Sequence, residues 1–435
     1  MMYQILRTFA SLQRSQWLKK DRLYENRNMR LRRIIDHAYH KVPFYNELYR
    51  SHGIDPVRIR SVSDLSLLPP ITRRDLQSQP LETRTAIDTN LGDCMLCATS
   101  GTTGSPVRVY DDVFSVPYRD ALNLRLLWAY GVRPYHKICK MRVGDPTGQK
   151  PKAFLSEAGL WGFLRENCLK QIIYDNDIAA AVTLISRWKP HVIFGMGSYL
   201  RILLESSNEL KSPLDSKIII TTGETLDSLT RASLQHGFHG DVYDHYGMEE
   251  VGGSVAWECP THSGYHINDE SVLLEFLRDG EPVDSGEPGE VYITSLTHRA
   301  TPIIRYATGD IATPIGEECQ CGRSLSMLKD VHGRTLDALV TKDHRYVLTI
   351  VSRLQEVQGL EQFKVIQNGD FSVDVFVRIA DGMETSTREE LQRACTELLG
   401  DTPIRIVQVN HIDHLLGRKF RIVESKVMSA PNRLN

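Results

Sequence analysis

The chain has 435 residues, of which 41% are hydrophobic and 24% are charged, and its formal net charge is -2. This length allows two or three domains with a large core. The near-neutral charge, without a long run of one sign, argues against a nucleic-acid-binding protein, which needs a strongly basic face. The sequence contains no run of eighteen apolar residues, so no membrane span is predicted. The N-terminus lacks a signal-peptide pattern and the eight cysteines are scattered, which predicts a cytoplasmic protein with reduced thiols.

The N-terminal part of the chain, residues 1–80, is predicted to be helical and basic. Met29–Val42 carries apolar residues at helical spacing among arginines and histidines. Pro69-Pro70 interrupts this pattern, and Thr72-Arg-Arg-Asp75 is typical of a new helix start. We therefore expect a helical segment that precedes the main sheet.

The middle of the chain alternates short β-rich runs with helical stretches. Val192–Gly195, Ile218–Thr222 and Val242–Tyr246 are predicted strands, and the first two are followed by amphipathic helical patterns. Such alternation predicts an α/β fold with buried strands. From Ser271 to Asp310 strands and turns dominate, which indicates a β-rich section.

The last part of the chain predicts a small α+β domain of ordinary size. Phe363–Gln367 and Phe371–Ile379 are predicted to form a hairpin around Asn368-Gly369. Arg388–Leu399 has the pattern of an amphipathic helix, and Ile404–Val409 that of a strand.

The most specific local signal is the segment Thr99-Ser-Gly-Thr-Thr-Gly-Ser-Pro106. Glycines let backbone amides approach an anion closely, and consecutive amides form an anion-binding concavity. Ser and Thr hydroxyls can donate to phosphate oxygens or bind Mg²⁺. The segment is not a Gly-x-x-x-x-Gly-Lys-Ser/Thr loop, because no lysine follows Gly104. A hydroxyl-rich surface loop is the alternative interpretation of this segment.

This segment resembles the phosphate-loop motif of adenylate-forming enzymes, and further motifs of that family follow it in the same order. They are Thr221–Glu224, Tyr246–Glu250, Arg305–Asp310, Gly333–Asp337 and Gly417–Arg421. Two N-terminal motifs resemble the phenylacetate–CoA ligase branch, namely Val42–Tyr45 and Leu68–Ile71.

The resemblance implies the adenylate-forming enzyme fold, an α/β architecture in two parts. A large N-terminal α/β portion of several subdomains with a β-rich section, residues 1–336, would bind ATP and the acid. A small, mobile C-terminal α+β domain, residues 337–435, would carry the catalytic Lys419, and Asp337 would be the hinge.

The resemblance also assigns residues to the nucleotide. Tyr246 would lie against the adenine ring, Asp310 would accept hydrogen bonds from the ribose hydroxyls, and Glu250 would bind Mg²⁺. The ATP-binding set is Ser100, Gly101, Thr102, Thr103, Gly104, Gly223, Glu224, Tyr246 and Asp310.

Two cations and a short segment complete the expected active site. Lys419 would bridge the acid carboxylate and the α-phosphoryl oxygen, although Arg418 and Arg421 leave its register open. Arg334 would contact the ribose or the α-phosphate. The acid would bind near His245 and Gly247, where His245 has either a substrate-pairing or a structural role.

The sequence departs from the family pattern at two positions. Glu249 stands where the family has threonine, so it either binds metal or faces away. Ser105 stands where the family usually has lysine, and Arg108 is a candidate to supply the missing charge.

A set of cysteines and histidines predicts a structural Zn²⁺ site. Thiolate and imidazole are the ligands that Zn²⁺ prefers, and four of them close a tetrahedral site. The expected ligands are Cys259, His266, Cys319 and Cys321, and His262 is the alternative histidine. Free thiols with incidental histidines are the other interpretation.

The resemblance implies a reaction that converts a small, aromatic carboxylic acid and ATP into an acyl-adenylate and then passes the acyl group to coenzyme A. An amine or a carrier-protein thiol is the alternative acceptor, and a non-catalytic nucleotide-binding relative is the second alternative. We expect no nucleic-acid or membrane partner, and a monomer or homodimer. The identity of the acid is left open by the motifs.

Overall fold

The computed structural model describes residues 2–98, 106–112, 114–142, 168–173, 177–334, 339–342, 346–347, 350–410, 412 and 421–427. Among these residues, no helix combines the length and the apolar character that a membrane crossing requires.

The N-terminal segment is helical, as predicted. Its helices are α1 (Met2–Ser15), α2 (Lys20–Lys41), α3 (Pro43–Ser51) and α4 (Arg73–Ser78). The predicted helix start at Thr72 is confirmed by a capping box. The Thr72 hydroxyl accepts from the Asp75 amide at 3.3 Å, and the Asp75 carboxylate accepts from the Thr72 amide at 2.7 Å.

A mixed sheet of twelve strands, in the order β11-β10-β12-β13-β14-β9-β8-β7-β6-β5-β3-β4, dominates the large portion. Its parallel half contains β3 (Ile138–Arg142), β4 (Leu169–Ile173), β5 (Val192–Gly195), β6 (Ile218–Thr222) and β7 (Asp241–Met248). Its antiparallel half contains β8 (Gly253–Glu258), β9 (Tyr265–Ile267), β10 (Val272–Arg278), β11 (Glu281–Pro282), β12 (Gly289–Ser295), β13 (Tyr306–Ile315) and β14 (Met327–Arg334). The predicted alternation and the β-rich section are therefore the two halves of one sheet.

Helices cover both faces of the parallel half. They are α5 (Ser115–Ala129), α6 (Ile178–Trp188), α7 (Gly197–Glu209) and α8 (Ser228–Phe238). Side chains of a strand alternate between faces, so Ile219 of β6 packs with α6, α7 and α8 while Ile220 packs with α5. Asp227 begins α8 by accepting from the Thr230 amide at 2.8 Å.

The N-terminal helices pack on the antiparallel half, where Leu31 and Tyr45 join a core with Val291 and Ile293. The chain is also hydrogen-bonded to β13 just before α4. The Ile71 amide donates to the Arg305 carbonyl at 3.0 Å, and the Ala307 amide donates to the Ile71 carbonyl at 2.8 Å. These bonds fix the start of α4 beside β13.

A separate hairpin lies before α5. It consists of β1 (Met95–Ala98) and β2 (Arg108–Asp111), which pair antiparallel. The predicted phosphate loop connects these two strands, but residues 99–105 lie outside the described residues.

The small C-terminal portion has its own four-stranded sheet, in the order β19-β18-β17-β20. Its elements are β15 (Leu339–Val340), β16 (Tyr346–Val347), α9 (Ile350–Gln355), β17 (Leu360–Gln367), β18 (Val373–Ile379), α10 (Glu384–Leu399), β19 (Ile404–Gln408) and β20 (Val423–Ser425). The predicted hairpin around Asn368-Gly369 is confirmed by the antiparallel pairing of β17 with β18. The division of the chain at residue 336 falls outside the described residues and stays a prediction.

A buried ion pair joins α5 to the loop before β10. Arg125 is fully buried, and its guanidinium donates to both carboxylate oxygens of Glu270, at 2.8 and 3.1 Å. Burial raises the pKa of Glu270, but the charge and hydrogen bonds of Arg125 outweigh it and leave the pKa below its usual value. Glu270 also accepts from the Ser15 hydroxyl at 2.6 Å, which ties α1 to the same pair.

Replacing Arg125 with methionine leaves Glu270 buried without its partner. We expect the Arg125→Met variant to lose about 3–5 kcal/mol of the free energy of unfolding at pH 7, measured by urea denaturation. The folded-state pKa of Glu270 is lowered, so its contribution is present above the usual pKa and is lost as the pH falls through the folded-state pKa. The free energy of unfolding of the variant should therefore not show this decrease as the pH falls. Arg22→Met, which breaks an exposed pair with Glu25, is the control, and an equal effect of both changes would refute the argument.

Candidate functional site

Two predicted nucleotide residues, which lie on separate inner strands of the sheet, are hydrogen-bonded to each other in the structure. Tyr246 on β7 donates its hydroxyl hydrogen to Asp310 on β13 at 2.6 Å. Gly309, just before Asp310, has a φ of +76°, a left-handed conformation that favours glycine. Burial, together with the neighbouring Asp310 charge, raises the pKa of Tyr246 well above its usual value. Tyr246 therefore stays protonated and donates to the carboxylate.

Asp310 also faces the strand that leads to the predicted hinge. In the antiparallel pairing of β13 with β14, Asp310 is the direct partner of Arg334. The side chain of Arg334 is outside the described part of the structure, and so is the whole of Asp337. The backbone pairing thus brings a third predicted site residue to the Tyr246–Asp310 pair.

The two neighbouring acids after β7 face different environments. They lie in a short turn, Glu249–Val251, that Gly252 closes with a φ of +82°. Glu250 is buried, whereas Glu249 is exposed. Of the two roles left open for Glu249, this placement favours facing away from the site.

Arg73, at the start of α4, is a site residue that the motifs did not indicate. Its Nη1 lies 3.8 Å from Oε1 of Glu250, and the side chain is about a quarter exposed. A guanidinium at this distance offsets part of the negative charge of the predicted magnesium ligand. The sequence signal was the helix start at Thr72, which gave no indication of a contact with a turn far along the chain.

The predicted nucleotide segment after β6 contacts the start of α7. Glu224 accepts from the Ser198 hydroxyl at 2.9 Å and from the Ser198 amide at 3.1 Å. Gly223 precedes it with a φ of +82°. A carboxylate at a helix N-terminus is stabilised by the exposed amides and the helix dipole, so Glu224 fixes this segment to α7.

The predicted acid-binding residues lie at the end of β7. His245 is buried, with Nδ1 at 3.0 Å from the Thr222 hydroxyl and Nε2 at 3.0 Å from the Ser254 hydroxyl. Burial lowers the pKa of His245 to about 3, so the imidazole is neutral. Both ring nitrogens bond within the protein, which favours the structural role. A Cβ at Gly247 would lie 2.9 Å from the Gly253 carbonyl oxygen, so this position requires glycine.

A narrow cleft is lined by residues of both the large and the small portion. Its walls include Glu224 and Asp227 of the large portion and Phe363 and Ile422 of the small portion. The predicted catalytic residue, Lys419, lies outside the described residues, three positions before Ile422 in the sequence. The first described residues after Lys419 therefore include Ile422, which lies in the wall of this cleft.

The remaining predicted phosphate-loop residues, Ser100, Gly101, Thr102, Thr103 and Gly104, also lie outside the described residues. Arg108, the candidate for the missing positive charge, is exposed at the start of β2.

The predicted metal ligands form a cluster at the edge of β8 and β9. One ligand atom from each of Cys259, His266, Cys319 and Cys321 lies within 4.8 Å of the others. The sulfurs of Cys259 and Cys319 are 3.5 Å apart, and Nε2 of His266 is 3.2 Å from the Cys321 sulfur. A tetrahedral site with Zn–S bonds of about 2.3 Å has edges of roughly 3.6–3.8 Å, so these separations fit one.

The cluster also distinguishes between the two candidate histidines. His262 lies outside it, with Nδ1 at 2.9 Å from the Glu258 carboxylate, and it is stacked on Tyr243. All eight cysteines of the chain are within the described residues, and none forms a disulfide. The pKa of Cys259 is raised by burial, but the hydrogen bond from His266 and those from neighbouring hydroxyls lower it to about 5, which favours a thiolate.

Solved structures of other proteins share this architecture, although no family model matches the chain. The structure is similar to that of a 2-hydroxyisobutyryl-CoA ligase solved with an acyl-adenylate in the postadenylation state. The TM-score is 0.77 at 18% identity, over 95% of this chain and 92% of that one. The predicted α/β fold of adenylate-forming enzymes is thereby confirmed.

The sequence relatives are more specific. The chain is 27% identical to the phenylacetate-coenzyme A ligase of Escherichia coli in an alignment that covers 93% of this chain and 95% of the relative. It is 28% identical to the enzyme of the same name from Thermus thermophilus over 333 residues, 75% of this chain and 73% of that one. The predicted resemblance to the phenylacetate–CoA ligase branch is confirmed by these relatives.

Proposed function

We propose that the protein is an ATP-dependent, AMP-forming ligase that activates a small, aromatic carboxylic acid as an acyl-adenylate and transfers the acyl group to coenzyme A. The observation that carries this proposal is the hydrogen bond between two motif residues, Tyr246 and Asp310, with the buried Glu250 within electrostatic reach of Tyr246. The relatives are named phenylacetate-coenzyme A ligases, which supports both the acid and the acceptor.

The first step requires a carboxylate oxygen to attack the α-phosphorus while pyrophosphate leaves. Two anions must approach each other, so the protein supplies orientation and positive charge. Asp310 would hold the ribose hydroxyls, Tyr246 would present its ring to the adenine, and Arg334 would contact the ribose or the α-phosphate. Lys419 would stabilise the charge that develops between the acid and the phosphoryl oxygen.

Two metal ions belong to the proposal. Glu250 suits Mg²⁺, a hard cation that takes one or two carboxylates and keeps several waters and phosphate oxygens as ligands. When bound, Mg²⁺ neutralises phosphate charge. Cys259, His266, Cys319 and Cys321 would hold a structural Zn²⁺, because four protein ligands leave no open coordination position for chemistry. The cytoplasmic location and the monomeric or homodimeric state stay predictions from the sequence.

Acid-dependent release of pyrophosphate from ATP tests the proposed reaction. With phenylacetate and related aryl acids, we expect release above background, and coenzyme A should increase turnover by consuming the acyl-adenylate. Asp310→Ala should raise the KM for ATP by roughly tenfold or more, because a charged hydrogen bond contributes about 1.5–3 kcal/mol. Asp330→Ala is the matched control, since Asp330 is an exposed aspartate on the neighbouring strand β14.

The outcomes distinguish the proposal from its alternatives. Release that responds to an amine or a carrier protein and not to coenzyme A would change the acceptor and leave adenylation in place. ATP binding without release for any acid would support the non-catalytic alternative and overturn the proposal.

A further inference from the structure

One helix of the large portion contributes apolar side chains to both portions. Leu234, in the middle of α8, is fully buried in the core of the large portion. Leu229, in the first turn of the same helix, instead packs against the hydrophobic core of the small portion, which contains Phe363 of β17. Leu229, Phe363 and Ile422 line the narrow cleft together. The start of α8 is therefore an apolar contact between the two portions.

A side chain of the small portion completes the hydrogen bonding at the start of the same helix. The first amides of a helix have no acceptor within the helix and need one from elsewhere. Asp227 accepts from the Thr230 amide, and Oε1 of Gln355, the last residue of α9, accepts from the Ser228 amide at 3.2 Å. The small portion thus supplies one of the acceptors that α8 requires.

Charged side chains of both portions meet beside this apolar contact. Nη1 of Arg378 on β18 lies 3.7 Å from Oε1 of Glu205 on α7, and Nε of Arg378 lies 2.9 Å from Glu361 of its own portion. Arg378 and Glu205 are each about a third exposed, so this pair contributes little by itself. Burial lowers the pKa of Arg201 on α7, and the negative charges of Asp227, Glu205 and, from the small portion, Glu361 oppose this effect.

The contact places the small portion beside the predicted nucleotide segment. Ile422 of the small portion and Glu224 of the segment after β6 line the same cleft. Ile422 follows the predicted catalytic Lys419 by three positions in the sequence. This arrangement of the two portions suits adenylation, because that half-reaction requires Lys419 near the nucleotide.

We propose that Leu229 and Gln355 are positioning residues that hold the two portions in the arrangement for adenylation, and that their contacts are released before transfer to coenzyme A. The inference rests on the proposed function, and it adds which contacts set the balance between the two half-reactions. A half-buried leucine, one hydrogen bond and a partly exposed ion pair are together weak enough to be broken and remade in each catalytic cycle.

Loss of the leucine should separate the two half-reactions. In Leu229→Ala, we expect acid-dependent ATP–pyrophosphate exchange to fall by roughly three- to tenfold, because a smaller fraction of the molecules is in the arrangement for adenylation. The rate at which supplied acyl-adenylate reacts with coenzyme A should stay unchanged or rise. Gln355→Ala should act in the same direction with a smaller effect.

Hydrogen–deuterium exchange measures the contact without reference to activity. In both variants the amides in the first turn of α8 should exchange faster, because the Ser228 amide loses its acceptor or the side chain that keeps this acceptor in place. The amides of the β17–β18 hairpin should keep their protection, which shows that the small portion stays folded.

Two matched variants remove similar side chains elsewhere. Leu184→Ala removes a leucine of α6 that is 36% exposed, and Arg393→Gln removes an exposed cation that pairs with Glu390 within α10. Neither should change the ratio of the half-reactions or the amide exchange of α8.

The inference is wrong if Leu229→Ala reduces both half-reactions equally, or if it changes neither. It is also wrong if α8 exchanges faster while the ratio of the half-reactions stays as in the wild type. Should Leu229→Ala fail to fold, Gln355→Ala, which removes one partly exposed amide, provides the same measurements. Failure of the proposed function looks different, since the wild-type protein would then release no pyrophosphate with any acid.

Discussion

Replacing Lys419 with alanine should reduce acid-dependent ATP–pyrophosphate exchange by roughly a hundredfold or more, which is typical of losing a preorganised charge at a reacting centre. Both reactants are anions, and an ammonium group placed between them strengthens its interaction as charge shifts to the leaving pyrophosphate. The Kd for ATP should change little by comparison, because the proposed nucleoside-binding residues, Tyr246 and Asp310, are hydrogen-bonded to each other on other strands. Isotope exchange measured at saturating acid tests this expectation.

The neighbouring cations provide the controls for Lys419. Arg418→Ala and Arg421→Ala remove the two charges that leave the register of the motif open, and neither should reduce exchange more than a few-fold. Lys419→Arg should recover only a minor part of the rate, because a planar guanidinium does not replace a compact ammonium. If Arg421→Ala abolished exchange and Lys419→Ala did not, the assignment of the catalytic cation would move by two residues.

The second half of the reaction gives a sharper test of the same residue. The resemblance to adenylate-forming enzymes implies that the small domain rotates after adenylation and removes Lys419 from the site. Acyl-adenylate supplied from outside should therefore react with coenzyme A at a rate that Lys419→Ala leaves nearly unchanged. A matching loss in both half-reactions would mean that Lys419 stays at the site throughout, or that the variant is misfolded.

The sequence predicts those parts of the fold in which local pattern and tertiary environment agree. The buried strands β5 and β6 are apolar runs, and the hairpin of β17 and β18 has both an alternating pattern and an Asn-Gly turn. The capping box at Thr72 is a purely local feature. Burial on the same face, hydrogen bonding and turn chemistry all operate within about ten residues there, so no knowledge of distant contacts is required.

Contacts between distant segments are what local patterns do not reveal. Arg73 reaches Glu250 only because Ile71 is bonded to β13, and His298 meets Asp111 across 187 positions in the sequence. Arg73 lies only in the helix start at Thr72, which says nothing of Glu250, and His298 belongs to no motif that the sequence analysis identified. The bonding of both His245 ring nitrogens is likewise hidden in the sequence, since its partners lie on β6 and β8. The nucleotide residues could be named from the sequence because a family motif marks each of them, and their roles stay predictions.

Loss of the proposed zinc site should have a large effect on stability. We expect Cys319→Ala to remove the bound zinc and to lower the free energy of unfolding by about 4 kcal/mol, within the range for changes that abolish a metal site. Without metal, the cluster brings buried sulfurs 3.5 Å apart, and one of them, that of Cys259, has a lowered pKa. Metal analysis and urea denaturation measure the two effects.

Another buried cysteine and the second histidine are the controls for this site. Cys395→Ala removes a fully buried sulfur from α10 in the small portion, and it should keep the zinc and cost only about 1 kcal/mol. His262→Ala should also keep the zinc, because His262 pairs with Glu258 outside the cluster, whereas His266→Ala should lose it.

The loss of zinc should also affect, through β9, the end of β7, where the acid is predicted to bind. Tyr265, next to His266, donates its hydroxyl hydrogen to Asp244 at 3.0 Å, and Asp244 precedes His245 at the end of β7. A chelator should therefore raise the KM for the acid in the wild-type protein and have no further effect on Cys319→Ala, which has already lost the metal. The zinc proposal is wrong if the purified wild-type protein holds no zinc and a chelator changes neither its stability nor its KM. The four side chains would then be three thiols and an imidazole that contribute to the fold only by packing.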